Sequence, residues 1–274
     1  MKQKLCIGTL ALCVLLGAAR GADLCFYTDA ATGFVTAGSI WLRYGLMALV
    51  LACAIAVPLG MEKEKTALRM DGARGVLLAP LAVAAEIYGF TAVIGAVTGN
   101  VAQTSVHHAT AARMLQAQIF DGVRGILFVA FGVWCLLLFF VRKEEPAHGG
   151  TLFYLGLAGS AAYYVHAVVR FIQQPASIYR VQPAVEILSA LAALLFVTAL
   201  LRKMCLPDAP GGAGAVCRYG LLVFFFGTCL SLPQAVWQQL NGITSLVTLP
   251  LAATLGILGL LGAACAVKIA ARQK

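Results

Sequence analysis

The 274-residue chain reads as an all-α, polytopic integral membrane helix bundle, and three observations carry that reading. Hydrophobic residues make up 61% of it and charged residues 11%, against roughly 45–50% and about 25% in a soluble domain. Mean hydropathy is +0.89. Apolar windows near the roughly 20 residues that a helix needs to cross the hydrocarbon follow one another along the chain, with no stretch between them able to bury a soluble core. Disordered, fibrous and ordinary cytosolic proteins are excluded, and so is a transmembrane β-barrel, whose strands would alternate over segments of roughly ten residues.

The windows are taken in order. Leu5–Ala19 follows Lys2 and Lys4, and Gly17–Ala22 is rich in small residues. A positive start, an apolar stretch and a small-residue site describe a cleaved signal peptide; an uncleaved signal anchor is the competing reading. The chain thus divides into residues 1–22, a signal peptide or anchor, and a single α-helical membrane domain over 23–274. That domain has seven spans after cleavage, and the chain has eight if the first is retained.

Ile40–Gly60 and Gly75–Val97 are the next two windows, the latter carrying Pro80. Ile119–Val141 and Leu152–Ile172 follow, and Pro183 opens Val181–Leu201. Tyr219–Trp237 and Ser245–Val267 are interrupted by Pro233 and Pro250, which bilayers tolerate where neighbours satisfy the freed carbonyls. Gly95 and Gly99, and the Gly256, Gly259, Gly262 series, permit close helix packing, while Phe224-Phe225-Phe226 is expected to face lipid.

Charge sets the orientation. With the N-terminus inside, Lys2, Lys4, Lys63, Lys65, Arg69, Arg74, Arg142, Lys143, Arg202, Lys203, Arg218, Lys268, Arg272 and Lys274 fall in cytoplasmic segments. Only Arg20, Arg113 and Arg180 fall outside, so the positive-inside rule places the C-terminus in the cytoplasm of a bacterial plasma membrane. The net charge of +9 is this asymmetry, spread over short loops, and calls for no nucleic-acid partner.

The inner loops are Met61–Arg74 and the Pro- and Gly-rich Lys203–Cys217. The outer ones are Asp23–Gly38 and Gly99–Gln118, in which Ala111–Met114 suits either a short interfacial helix or a plain connection. Ile40-Trp41, Ile119-Phe120 and Ile178-Tyr179, each followed by an arginine, recur at outer span ends; an aromatic belt or a duplicated hairpin accounts for them.

Nine cysteines form no framework: most lie in apolar windows, and there is no CxxC. His107 and His108 read as loop histidines, and no metal or cofactor is expected.

The informative residues are charges placed in oil, where each costs about 2.5–3.5 kcal/mol at the bilayer centre. Arg43, Glu86, Asp121, Arg124, His166, Arg170 and Glu186 lie in or at the edges of the windows without help from the positive-inside rule. Six of them fall near the outer face, with Glu86 deeper. Asp121 and Arg124 are spaced i,i+3, and His166 and Arg170 i,i+4, so each pair shares a helix face. They are expected either to line an outward-open polar cavity or simply to pair with one another.

The segment Tyr27-Thr28-Asp29-Ala30-Ala31-Thr32-Gly33-Phe34 resembles a stretch in uncharacterised multi-pass bacterial membrane proteins, a resemblance that implies no chemistry. Asp29 and Thr32 suit a turn and Gly33 a strained backbone angle. Gly159-Ser160-Ala161-Ala162 and Arg218-Tyr219 are similar in placement to CopD-type copper-resistance membrane proteins. Ser160 and Ser189 stand where that resemblance calls for histidines, so it implies no copper ligands here.

The expected function is binding or transport of a small polar solute, with Arg43, Arg124 or Arg170 as its cation and Glu86 as a proton carrier. The alternative is a non-transporting sensor, assembly factor or complex subunit with a membrane protein partner. No protease, P-loop or hydrolase motif supports an enzyme.

Overall fold

The computed structural model describes residues 2–29, 33–59, 72–99, 111–140, 150–173, 181–206, 211–243 and 248–272. Nearly all of them are helical: α1 Lys2–Phe26, α2 Ile40–Ala56, α3 Ala73–Thr98, α4 Ala111–Phe140, α5 Thr151–Gln173, α6 Val181–Cys205, α7 Gly212–Leu240 and α8 Thr248–Arg272. Seven are long and apolar enough to cross a membrane; α2, with 17 residues, is the shorter one.

Helices α3 to α8 close a ring in chain order: each packs on the next, and α8 returns to α3. Contacts between α6 and α8 cross the middle of the ring. The α1–α2 hairpin lies against the outside, on α7 and α8. Lys2 Nζ donates to the Leu59 carbonyl, which ties the start of α1 to the segment after α2.

Several element ends differ from the sequence reading. Helix α1 runs seven residues past Ala19, and Gly17 sits tightly on α7: a Cβ there would lie 2.8 Å from Cys229 Cβ. Helix α2 stops at Ala56 rather than Gly60: Val57 still donates to the Cys53 carbonyl, but Pro58 has no N–H to continue the ladder. Helix α4 begins at Ala111, so Ala111–Met114 forms its first turn rather than a separate interfacial helix. Cys205 and Cys217, expected in a cytoplasmic loop, are buried ends of α6 and α7. His107, His108, the Ile178-Tyr179-Arg180 repeat and most of Met61–Arg74 lie outside the described residues.

Helix α7 widens into a π-helix over Phe224–Ser231, and the Leu232 N–H donates to the Gly227 carbonyl five residues back. Pro233 follows directly; it has no N–H to give and its ring would crowd the carbonyl four residues earlier, so a widened turn accommodates it. The Phe224-Phe225-Phe226 run lies in this segment and is buried, not lipid-facing, because α1, α6 and α8 enclose it.

Glycines set the closest helix approaches. On α7 and α8, a Cβ at Gly220 would meet the Gly262 carbonyl oxygen at 2.5 Å, and one at Gly262 the Gly220 oxygen at 2.7 Å. This accords with the expected small-residue face of the last helix. Between α3 and α4 the touching pair is Gly89 and Gly125, where a Cβ on either would lie 2.7–2.8 Å from the other's carbonyl oxygen, a pair the GxxxG reading of Gly95 and Gly99 overlooked.

Beyond α1 the chain turns tightly. Thr28 and Val35 form an antiparallel bridge, Gly33 N–H donates to the Asp29 carbonyl, and Gly33 takes φ +70° as its sequence predicted. A Cβ there would lie 2.5 Å from Gln182 Oε1, so the turn sits directly on the start of α6.

Candidate functional site

Apart from Glu86, the charged residues singled out above lie toward one end of the bundle, the end formed by the C-termini of α1, α3, α5 and α7 and the N-termini of the others. They form two clusters.

The larger cluster is a seam between α3, α4, α5 and α6. On α4, Arg124 Nη2 donates to Asp121 Oδ1 at 2.5 Å across one helical turn. Arg124 Nη1 lies 3.3 Å from His166 Nδ1 on α5. A guanidinium has only donors, so Nδ1 must accept, and the imidazole is the neutral tautomer with its proton on Nε2. Arg124 also stands over the Tyr88 ring of α3, 5.5 Å from its centroid. One turn along α5, Arg170 pairs with Glu186 of α6. Gln234 of α7 donates to the Gln182 carbonyl at 3.3 Å and to Glu186 Oε1 at 3.4 Å. Asp121, Arg124, His166 and Gln234 are buried. Two arginines and two carboxylates around a neutral histidine leave no net charge, as buried ions in oil require.

Five of the seven residues singled out from the sequence therefore converge: Asp121, Arg124, His166, Arg170 and Glu186. Glu86 does not join them. It is half-buried in the α3–α4 groove against Gly132, where a Cβ would lie 2.6 Å from its Oε1. Among the described residues its carboxylate meets no hydrogen-bond or ion-pair partner.

Arg43 belongs to the second cluster. Its Nε lies 3.1 Å from both Asp23 carboxylate oxygens, its Nη2 also contacts Asp23, and that Nη2 donates to the Ala37 carbonyl at 2.8 Å. Arg20, one turn before Asp23 on α1, pairs with the same carboxylate. These residues border a cavity of about 270 Å³ between α1, α2 and the π-helical segment of α7.

Sequence reasoning left out Arg20, Asp23, Tyr88 and Gln234. Continuing the first helix through Gly21 and Ala22 would have shown Arg20 and Asp23 at i,i+3. Gln234 was visible as an amide inside an apolar window. Tyr88 carried no signal apart from its place on the face of α3 opposite Glu86.

A line of polar groups continues from the seam toward the middle of the helices. Tyr88, Phe128 and Tyr163 follow edge to face at centroid separations of 4.9 and 5.2 Å, then Phe131 and Trp134. Arg124 Nε, Tyr88 OH, Tyr163 OH, Trp134 Nε1, Gln182 Nε2 and Gln234 Oε1 are all buried without a hydrogen-bond partner. Among the described residues no three His, Cys, Asp or Glu side chains stand together as metal ligands would.

Fold and site together define a multi-pass helical membrane protein with a paired ionic seam at one end. No family model, curated protein or solved structure matches the chain.

Proposed function

We propose that the chain binds a small polar solute, zwitterionic or anionic, in the seam of Asp121, Arg124, His166, Arg170 and Glu186 at the outward end of the bundle, and that this binding serves its transport. The single observation that carries the reading is the set of orphaned polar atoms along that seam. Each buried donor or acceptor without a partner costs about 1–3 kcal/mol, so a polar occupant is what such a lining favours. Arg124 and Arg170 offer cations for a carboxylate or phosphate, Asp121 and Glu186 counter-charges for an ammonium, and neutral His166 an Nε2–H donor. Glu86 and Arg43 lie outside this site.

A second reading, a non-transporting sensor, assembly factor or complex subunit, is favoured by the pairing itself, since Arg124–Asp121 and Arg170–Glu186 already neutralise each other. One experiment separates the two. His166→Cys, made in a Cys25→Ser background, is reconstituted in vesicles and treated with a small charged methanethiosulfonate reagent. A solute site admits water and becomes modified above the Cys25→Ser reference; a dry structural seam stays unmodified, and that result refutes the solute reading.

A further inference from the structure

The α1–α2–α7 cavity differs from the seam in charge and in lining. The seam sums to zero, whereas Arg20 and Arg43 share one carboxylate, Asp23, and leave the cluster one positive charge in excess. Asp29, in the turn beyond α1, does not line the cavity. The Arg20 side chain is only 6% exposed, yet its Nε has no hydrogen-bond partner. Below the cluster the walls are apolar: Leu16 from α1, Leu42, Leu46 and Met47 from α2, Phe225 and Leu230 from α7. At about 270 Å³ the hollow approaches the lower edge of the roughly 300–1,000 Å³ that small-molecule sites occupy. Trp41, 71% exposed beside it on α2, suits the headgroup level of a bilayer.

We infer that this cavity binds an anionic phospholipid, its phosphate on Arg20 and Arg43 and its acyl chain between α1, α2 and the π-helical turn of α7. A buried net cation favours an anion beside it, and guanidinium forks match phosphate oxygens. The apolar walls select an anion with a tail over a free one. The phosphate supplies the acceptor that Arg20 Nε lacks, while Asp23 keeps the two arginines apart and aligned. The site has its own lining, distinct from that of the seam, and requires a chain that keeps α1.

The test uses the full chain in an uncharged detergent, with native mass spectrometry and thermal unfolding as readouts. The probes are lysophosphatidylglycerol, lysophosphatidylcholine of the same chain length, and glycerol phosphate. The protein should retain the anionic lipid at least tenfold more tightly than the zwitterionic one and ignore glycerol phosphate. Arg20→Gln with Arg43→Gln should abolish that preference. Leu46→Trp, which fills the hollow and leaves the charges intact, should weaken both lipids and decides the matter if the arginine variants do not fold. Equal retention of the two lipids, a preference that survives the double variant, full competition by glycerol phosphate, or unchanged binding by Leu46→Trp overturns the inference. So does a mature protein whose intact mass shows Arg20 removed.

Discussion

Replacing Arg124 by Gln tests whether the seam holds together as the geometry requires. The Arg124 and Asp121 side chains are 3% and 6% exposed, so their pair is buried. Removing one member of a buried pair leaves the other charge uncompensated, at about 3–5 kcal/mol. The same change removes the cation from the Tyr88 face, worth about 0.5–2 kcal/mol, and takes the donor from His166 Nδ1. Asp121→Asn should be milder, because Arg124 keeps its histidine acceptor and its aromatic face. Asp121→Asn with Arg124→Gln replaces both charges by amides that still hydrogen-bond one turn apart. That variant should recover much of the loss, giving a coupling of about 2–3 kcal/mol in a double-mutant cycle. Reversible unfolding in mixed micelles, followed by circular dichroism, measures all four proteins. If the two single losses add to within about 0.5 kcal/mol of the double, the residues are not coupled and the buried ion pair is refuted.

Two further outcomes follow from the packing and the topology. Gly125→Ala drives a Cβ to 2.7 Å from the Gly89 carbonyl oxygen and should cost about 1–3 kcal/mol, whereas Gly122→Ala meets Ala96 Cβ at 3.6 Å and should be neutral or gain up to about 1 kcal/mol of helix propensity; the reverse order in thermal unfolding would sink the α3–α4 contact. Cys25 is exposed near the end of α1 while Cys6, Cys13, Cys135, Cys205, Cys217, Cys229 and Cys265 are buried, so a membrane-impermeant maleimide added to intact cells should label the protein quickly and Cys25→Ser should abolish that labelling; labelling only after permeabilisation contradicts an outward charged end.

Hydropathy made the spans legible, because in lipid a helix must satisfy its own backbone and be apolar outside, and both demands are local. Their ends were less so. Gly17 packs on Cys229, a contact more than two hundred positions away in sequence. The partner of Arg43 was hidden likewise: Asp23 lies 20 residues earlier, across the turn that Gly33 closes. Spacings within one helix, Asp121 with Arg124 and His166 with Arg170, could be read directly, and both pairs point into the seam. Glu86 shows the limit of reading depth without direction. It and Tyr88 stand about 200° apart on α3, yet both meet α4: Tyr88 packs against Phe128 and Arg124 at the seam, and Glu86 lies in the groove by Gly132, apart from it.

The two clusters are not independent features of one surface, because a chain of contacts joins them. The α1–α2 turn rests by Gly33 on Gln182; the Gln182 carbonyl accepts from Gln234; Gln234 donates to Glu186; and Glu186 pairs with Arg170. Gly33 therefore serves two needs at once. Its φ of +70° suits the turn, and the space a Cβ would take belongs to the Gln182 amide. A side chain there strains the turn and displaces the Gln182 amide. The neutral seam and the cationic hollow thus meet through Gln182, although only the seam balances its own charge.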